Sequence, residues 1–379
     1  MKNTINSYSW PGNVSTAVTS GPAADAARKW TSVLAKDACM KIHVSLLRGG
    51  SNRYKWLRYG ITDITVGGII EIGPMLEGTG RFADRDTGPF PIRAVWAAAK
   101  GNEGFFVRGD SHIKNIKDVV PGVRVADMSG YLATKRVLEA LLAWSGKFND
   151  LDQDVVWVPA KNSYHKVELI IEGKADIAFA LPTSPEIYEA ENNPFGIRWI
   201  DLNPDLDREG AQRFFEKHPL VDFGKMFNGV SSCIGHWGMI GTGLFCCHEE
   251  ANVDFVYHLT KWMNENRTRY RDLHFRLEYM SLETLMEQLN TTFIPCHEGL
   301  IKYLKELELW TSCHEKRQQE NVDTVSRYCD PNQKAMWLAD EKGIVVSQDN
   351  PEWIELWDNY KKEHNLLPFH KLPSLVGTS

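Results

Sequence analysis

Arg48-Gly49-Gly50-Ser51 is the densest group of residues in the chain able to hold an anion. An arginine presents a planar two-donor fork that fits a carboxylate. Glycine lets the backbone approach a ligand closely, and a serine at a helix N-cap leaves amides facing negative charge. A tight turn with a surface arginine uses the same four residues. Hydroxyl groups recur in similar settings. Ser15 and Thr16 precede an alanine-rich segment, Ser129, Tyr131 and Thr134 stand in Ser129-Gly130-Tyr131-Leu132-Ala133-Thr134, and Thr183 lies in Pro182-Thr183-Ser184-Pro185. Such residues either touch a ligand or cap a helix. Trp10, Tyr131 and Trp237 supply rings for an apolar wall, or for a core. Tyr164 and His165 are lesser candidates. For covalent chemistry the compact group is Cys246-Cys247-His248. Neighbours on a strand point to opposite faces, which counts against Cys247 and His248 acting as nucleophile and base.

The elements that must position these groups are alternating strands and helices. Val44–Leu47 reads as a buried strand, Tyr54 and Leu57 share a helical face, and Ile64–Ile72 is a second apolar run interrupted by Gly67-Gly68. Strand, turn, helix and strand make a βαβ unit and hence a parallel sheet, whose ligands sit beyond the carboxyl ends of the strands. Thr4–Trp10 reads as a first strand, Pro11–Thr16 as its turn and Ala23–Ala35 as the following helix. Ile92–Ala99 and Glu103–Val107 read as strands. Further corners follow at Gly122–Ala126, at Val155–Pro159 and at the strand preceding Pro182. Near the end, Trp353, Leu356, Trp357 and Tyr360 repeat at i, i+3, i+4 and i+7, the spacing of a packing face.

A chain of 379 residues accommodates two domains or one large one. A hydrophobic share of 43% with 24% charged residues is that of a globular protein, and the net charge of -6 argues against nucleic acid or anionic membranes as partners. The seven cysteines include no C-x-x-C spacing. Three precede histidine, at Cys247-His248, Cys296-His297 and Cys313-His314, a pattern of buried thiols before one of metal ligands. Cys313 and Cys329 are available for a disulfide in an oxidising compartment. No segment has the roughly 18 consecutive apolar residues of a membrane span. The start MKNTINSYSW lacks a basic and apolar signal pattern, so the expectation is either a cytoplasmic protein or one whose signal has been removed.

Five motifs in order resemble one family. They are Gly49-Gly50-Ser51 with Thr62-Asp63-Ile64; Phe105-Phe106-Val107-Arg108-Gly109-Asp110-Ser111; Gly122-Val123-Arg124-Val125 with Ser129–Thr134; Glu172-Gly173-Lys174-Ala175-Asp176-Ile177; and His297-Glu298-Gly299-Leu300. Over roughly residues 4–310 this order resembles the TAXI group of extracytoplasmic substrate-binding proteins, the soluble receptors of TRAP transporters. The resemblance implies a two-lobed, type II periplasmic-binding-protein-like α/β fold with parallel-rich mixed sheets and two crossing hinge strands. It also implies a ligand held between the lobes. Departures occur at Trp10–Ser15, where relatives carry a glycine–threonine-rich run, at the bulky Tyr131, at Glu298 in place of proline, and in a C-terminal extension past the family's usual end.

The expectation is a non-enzymatic receptor with lobes at 1–97 plus 231–379 and at 98–230, hinged near Val95–Ala99 and Gly229–Cys233. It captures a small organic anion, most simply a carboxylate, through Trp10, Ser15, Thr16, Arg48, Gly49, Ser51, Ser129, Tyr131, Thr134, Thr183 and Trp237. It needs no cofactor or metal, and works outside the cytoplasm with the membrane subunits of a TRAP transporter. The alternatives are a sensor on the same fold, or a cysteine-dependent enzyme similar to the pyrimidine-forming proteins of thiamin biosynthesis.

Overall fold

The computed structural model describes residues 8–19, 21–47, 50–128 and 132–375, without the side chains of 50 and 132–134. The chain divides into two compact units, Met1–Lys100 with Thr242–Ser379, and Gly101–Gly241. Its strands are β1 (Asn13–Val18), β2 (Lys41–Leu46), β3 (Ile64–Gly68), β4 (Ile92–Arg108), β5 (Arg124–Asp127), β6 (Val156–Pro159), β7 (Ala178–Ala180), β8 (Ile197–Trp199), β9 (Asp222–Lys225) and β10 (Trp237–His248). β4 carries the chain from the first unit into the second, and β10 carries it back.

In the first unit the strand order is β2-β1-β3-β10-β4. β1 runs parallel to both β2 and β3, with Val18 opposite Leu46 and Ala17 opposite Thr65, while β10 is antiparallel to β3. The helix Pro22–Ala38 connects β1 to β2, and the helix Gly50–Arg58 connects β2 to β3. The second of these buries Tyr54 and Leu57, the pair whose spacing marks its inner face. Glycine and proline punctuate these corners. Pro22 takes the first helical turn, where its missing N–H costs nothing, and Gly21 before it adopts φ 77°.

The first strand differs from expectation. Pro11-Gly12 precede it instead of ending it, and β1 is Asn13–Val18 with the burial alternation and apolar close of an inner strand. Ser15 and Thr16 therefore lie within the strand. β3 also stops at Gly68, and Ile69–Glu77 is a helix where the apolar run suggested strand. Ile92–Ala99 and Glu103–Val107 join in one continuous strand.

In the second unit β5 and β6 are parallel, and β7 continues their direction through the bridge between Val125 and Ile177. β4 pairs antiparallel with β7 and β8, and β10 with β9. Phe106, Ala178 and Trp199 are in the core that this sheet buries against the helices Ser163–Ile171 and Pro185–Glu191. Gly229–Cys233, expected as a crossing strand, lies inside this unit and ends in a short 3-10 turn; the return crossing falls between Gly241 and Thr242 in β10.

Two helices of the first unit meet through a glycine. In Glu298–Glu306, a Cβ at Gly299 would lie 2.5 Å from the Val253 carbonyl oxygen and 2.6 Å from the Tyr257 amide nitrogen of the helix Val253–Glu265. Both are backbone atoms and neither can rotate aside. Gly299→Ala should cost about 2–3 kcal/mol, the upper range for overpacking, read as a lower urea midpoint. A loss under about 0.5 kcal/mol, the range of neutral surface changes, would show that the helices part without resistance.

Candidate functional site

Each unit presents a set of strand carboxyl ends that open onto helix N-termini. In the first unit these are the ends of β1, β2 and β3. The Leu47 amide donates to the Val18 carbonyl at 3.0 Å, which keeps the first two ends level. The helices Pro22–Ala38 and Ile69–Glu77 start from Gly21 and Gly68, and no side chain caps either. The first-turn amides of a helix have no intrahelical partner, so uncapped starts face negative charge favourably. Arg53 is buried beneath this edge, giving one guanidinium nitrogen to the Val66 carbonyl and another to Glu71 at 2.7 Å. That pair fixes the corner and is not available to a ligand.

In the second unit the edge comprises the ends of β5, β6 and β7. Asn162 caps the helix Ser163–Ile171 by accepting from the His165 amide at 2.9 Å. Ser184 precedes Pro185–Glu191 without capping it. The turn between β7 and that helix is held from behind. Asn102 of β4 donates to the Asn228 carbonyl at 2.8 Å and accepts from the Phe227 and Asn228 amides at 3.1 and 3.0 Å. The Val230 amide donates to the Pro182 carbonyl at 3.1 Å, and Gly229, at φ 122°, packs against Pro182 where a Cβ has no room.

Beside Asn102 on β4 stands Glu103, which the reading of the sequence passed over as the start of a strand. Its carboxyl is half-buried and, among the described residues, accepts no hydrogen bond and forms no ion pair. Burial alone raises it from 4.5 to about 7. Asp127, the last residue of β5, has a buried Oδ1 without a partner. Burial raises its carboxyl too, and Lys135 opposes that shift.

The expected site residues fall in different places. Arg48, Gly49, Ser129 and Tyr131 lie outside the described residues. Thr134 lies in the helix Leu132–Ser145, and its side chain is outside the description too. Ser51 is half-buried on the helix Gly50–Arg58, one residue into it instead of capping it. Thr183 is half-buried in the turn after β7, on the carboxyl edge of the second unit. Ser15 and Thr16 are not at a carboxyl end. The amide and hydroxyl of Ser15 both donate to Asp63, at 2.7 and 2.8 Å, and Thr16 is wholly buried with its hydroxyl unpartnered. The residue that does follow β1 at its carboxyl end is half-buried Thr19, and the Gly21-Pro22 helix-start signature was the available signal for it. Trp10 precedes β1 at its amino end and sets its ring edge-on to Tyr8 and Phe255, at 5.2 and 6.5 Å. Trp237 opens β10, where its amide donates to Asp201 at 3.3 Å.

A cavity of about 910 Å³ in the first unit lies at the amino end of β1, lined by Tyr8, Asn13, Arg58, Asp63 and His248 among others, and by none of the expected site residues. Tyr164 is exposed, and the His165 ring accepts the Lys161 amide at a helix start.

The Cys246-Cys247 pair is not built for nucleophilic chemistry. Cys246 and Cys247 are buried in β10, and burial drives both thiols far above their ordinary range, whereas a reactive thiol needs a lowered one. Burial lifts Cys296 to about 12. Cys313 and Cys329 share the helix Ser312–Glu341. At 1.5 Å rise per residue they stand roughly 24 Å apart, too far for the disulfide considered from sequence. Among the described residues no group of histidine, cysteine and carboxylate side chains could hold a metal ion, and no helix is long and apolar enough to cross a membrane.

Comparison with known proteins adds the following. No curated protein matches the chain significantly. Among solved structures, similarity extends to the periplasmic aliphatic sulphonate binding protein SsuA of Escherichia coli, at 14% identity over 83% of this chain and 86% of that one, with a TM-score of 0.41. An ancestral cationic amino acid solute binding protein is 12% identical over 71% of this chain and 95% of its own, with a TM-score of 0.38. The L-cystine solute receptor of Neisseria gonorrhoeae, in its unliganded open conformation, is 14% identical over 54% of this chain and 85% of its own, with a TM-score of 0.31. A family model described as NMT1-like matches residues 25–307. That span covers most of the chain, which belongs to the NMT1-like family.

Proposed function

We propose that the protein is a solute receptor of the TAXI type, which binds a small organic acid and presents it to the membrane subunits of a TRAP transporter outside the cytoplasm. The observation that carries this reading is the pairing of two α/β units, each with strand carboxyl ends opening onto uncapped helix starts, and only β4 and β10 passing between them. The five motifs read from the sequence support the same assignment. In this reading the ligand carboxylate takes the amides of the first unit's edge together with Arg48. The buried, unreactive thiols support a binding role over a cysteine-dependent enzyme.

The test is a thermal-shift screen against organic acids, followed by titration of the best one. A ligand at 100 times its Kd stabilises the protein by about 2.7 kcal/mol, enough for a clear rise in Tm. Arg48→Ala should weaken binding of that acid by about tenfold or more, the loss of a charge-assisted hydrogen bond pair. Unchanged affinity in Arg48→Ala would remove the arginine from the site, and silence across every acid would overturn the receptor reading.

A further inference from the structure

Glu103 is an anomaly if it serves only the fold. A recessed carboxylate normally accepts hydrogen bonds or meets a cation. Glu103 does neither among the described residues, and no neighbouring charge contributes to its raised proton affinity, for which burial is the cause. The surroundings keep space open for it. Across from it in β10, a Cβ at Gly241 would lie 3.8 Å from Glu103 Oε1, and Gly238 lets β10 run close to the Glu103 carbonyl. Its backbone is held in place, because the adjacent Asn102 is tied to Phe227 and Asn228 by three hydrogen bonds.

The register puts Glu103 on the carboxyl edge of the second unit. Gly104 pairs with Ala180, so one step further Glu103 lies opposite Leu181. Directly opposed residues share a sheet face. Leu181 is 45% exposed, an apolar side chain left uncovered beside a carboxylate left unpaired. Thr183 follows in the pinned turn, and Asp127 with its unpartnered Oδ1 ends β5 on the same edge. Glu103 thus offers a carboxylate acceptor beside an apolar side chain on this edge.

We propose that Glu103 receives an ammonium group of the ligand, so that the bound molecule is an amino acid or similar zwitterion and not a plain carboxylate. Leu181 then meets the adjoining carbon chain. This assignment rests on the receptor reading and narrows its substrate class.

Matched pairs of compounds separate the two. Isothermal titration would compare L-glutamate with glutarate and L-phenylalanine with 3-phenylpropionate, on the parent protein and on Glu103→Gln and Glu103→Asp. In the pair that binds, the amino member should bind at least tenfold more tightly to the parent. Glu103→Gln should bring the two members within about threefold, and Glu103→Asp, which keeps the charge, should restore part of the difference. Tighter binding of the deaminated acid, or an amino preference that survives Glu103→Gln, overturns the role of Glu103 and leaves the receptor reading standing. Failure of all four compounds, and of the wider acid screen, overturns both.

Discussion

Trp353→Ala should lower the stability of the protein by about 4 kcal/mol, within the range for truncating a buried aromatic. Trp353 is 1% exposed, and its indole N–H donates to the Ala83 carbonyl at 2.8 Å. One turn on, Trp357 donates to the Glu77 carbonyl at 2.9 Å, with the two rings 6.3 Å apart and nearly parallel. Both tryptophans belong to the helix Pro351–Glu363, and both carbonyls lie at or after the end of the helix Ile69–Glu77. Gly78 makes that approach possible, because at φ 59° it ends the earlier helix and a Cβ there would lie 2.9 Å from the Trp357 indole nitrogen. Further ties run alongside, from Arg85 to Asp340 and from the Gln348 amide to Asp84 at 2.7 Å. The C-terminal extension is therefore a buttress of the first unit, fastened to the segment that follows β3. Urea unfolding of Trp353→Ala, followed by circular dichroism, measures the effect. A loss below about 1 kcal/mol, smaller than typical core truncations, would mean that the extension is only loosely seated.

How far the sequence disclosed this molecule depends on whether each feature is local. The βαβ unit through Tyr54 and Leu57 was legible because its apolar spacing and its glycine turn are adjacent in the chain. The face carrying Trp353 and Trp357 was legible for the same reason, although its partners, 270 and 280 residues away, were not. The first strand was displaced because Tyr8 and Trp10 have high strand propensity, whereas Asn13-Val14-Ser15-Thr16 looks like a turn. Only the pairing of Asn13 with Lys41, a tertiary fact, decides between them. Gly67-Gly68 misled in the opposite direction, since a glycine pair within an apolar run resembles a flaw in a strand as much as a strand-to-helix corner. Of the candidate site, Thr183 falls on a carboxyl edge, in the turn after the strand read to precede Pro182. Ser15 and Thr16 do not, because their expected position followed from the misplaced strand. Glu103 was invisible for a physical reason: a glutamate at the start of a strand is ordinarily a solvated residue, and nothing local reveals that the fold recesses it.

That recess has a measurable consequence. Glu103→Gln should stabilise the ligand-free protein at pH 8 and leave it unchanged at pH 4.5. The Glu103 carboxyl is raised from 4.5 to about 7 in the folded protein, so the folded state holds its proton more tightly than the unfolded chain does. Below about pH 4.5 both states are protonated and burial of the neutral acid carries no electrostatic penalty. As pH rises from 4.5 to 7 the unfolded chain releases its proton while the folded protein retains it, and stability falls. Above pH 7 the folded protein must hold an ionised, unpaired carboxylate, and the full penalty applies. At about 1.4 kcal/mol per pH unit the ceiling is about 3.5 kcal/mol, and partial access of water to a half-buried group brings the expected gain nearer 2 kcal/mol. Urea midpoints of the two proteins at pH 4.5, 6 and 8 test this, and a constant difference across that range would show that Glu103 is not the group responsible. A saturating zwitterion should narrow the gap at pH 8, because an ammonium beside the carboxylate removes from the parent the penalty that glutamine avoids. A site residue that weakens the free fold and recovers that loss on ligand binding is the usual relation between function and stability.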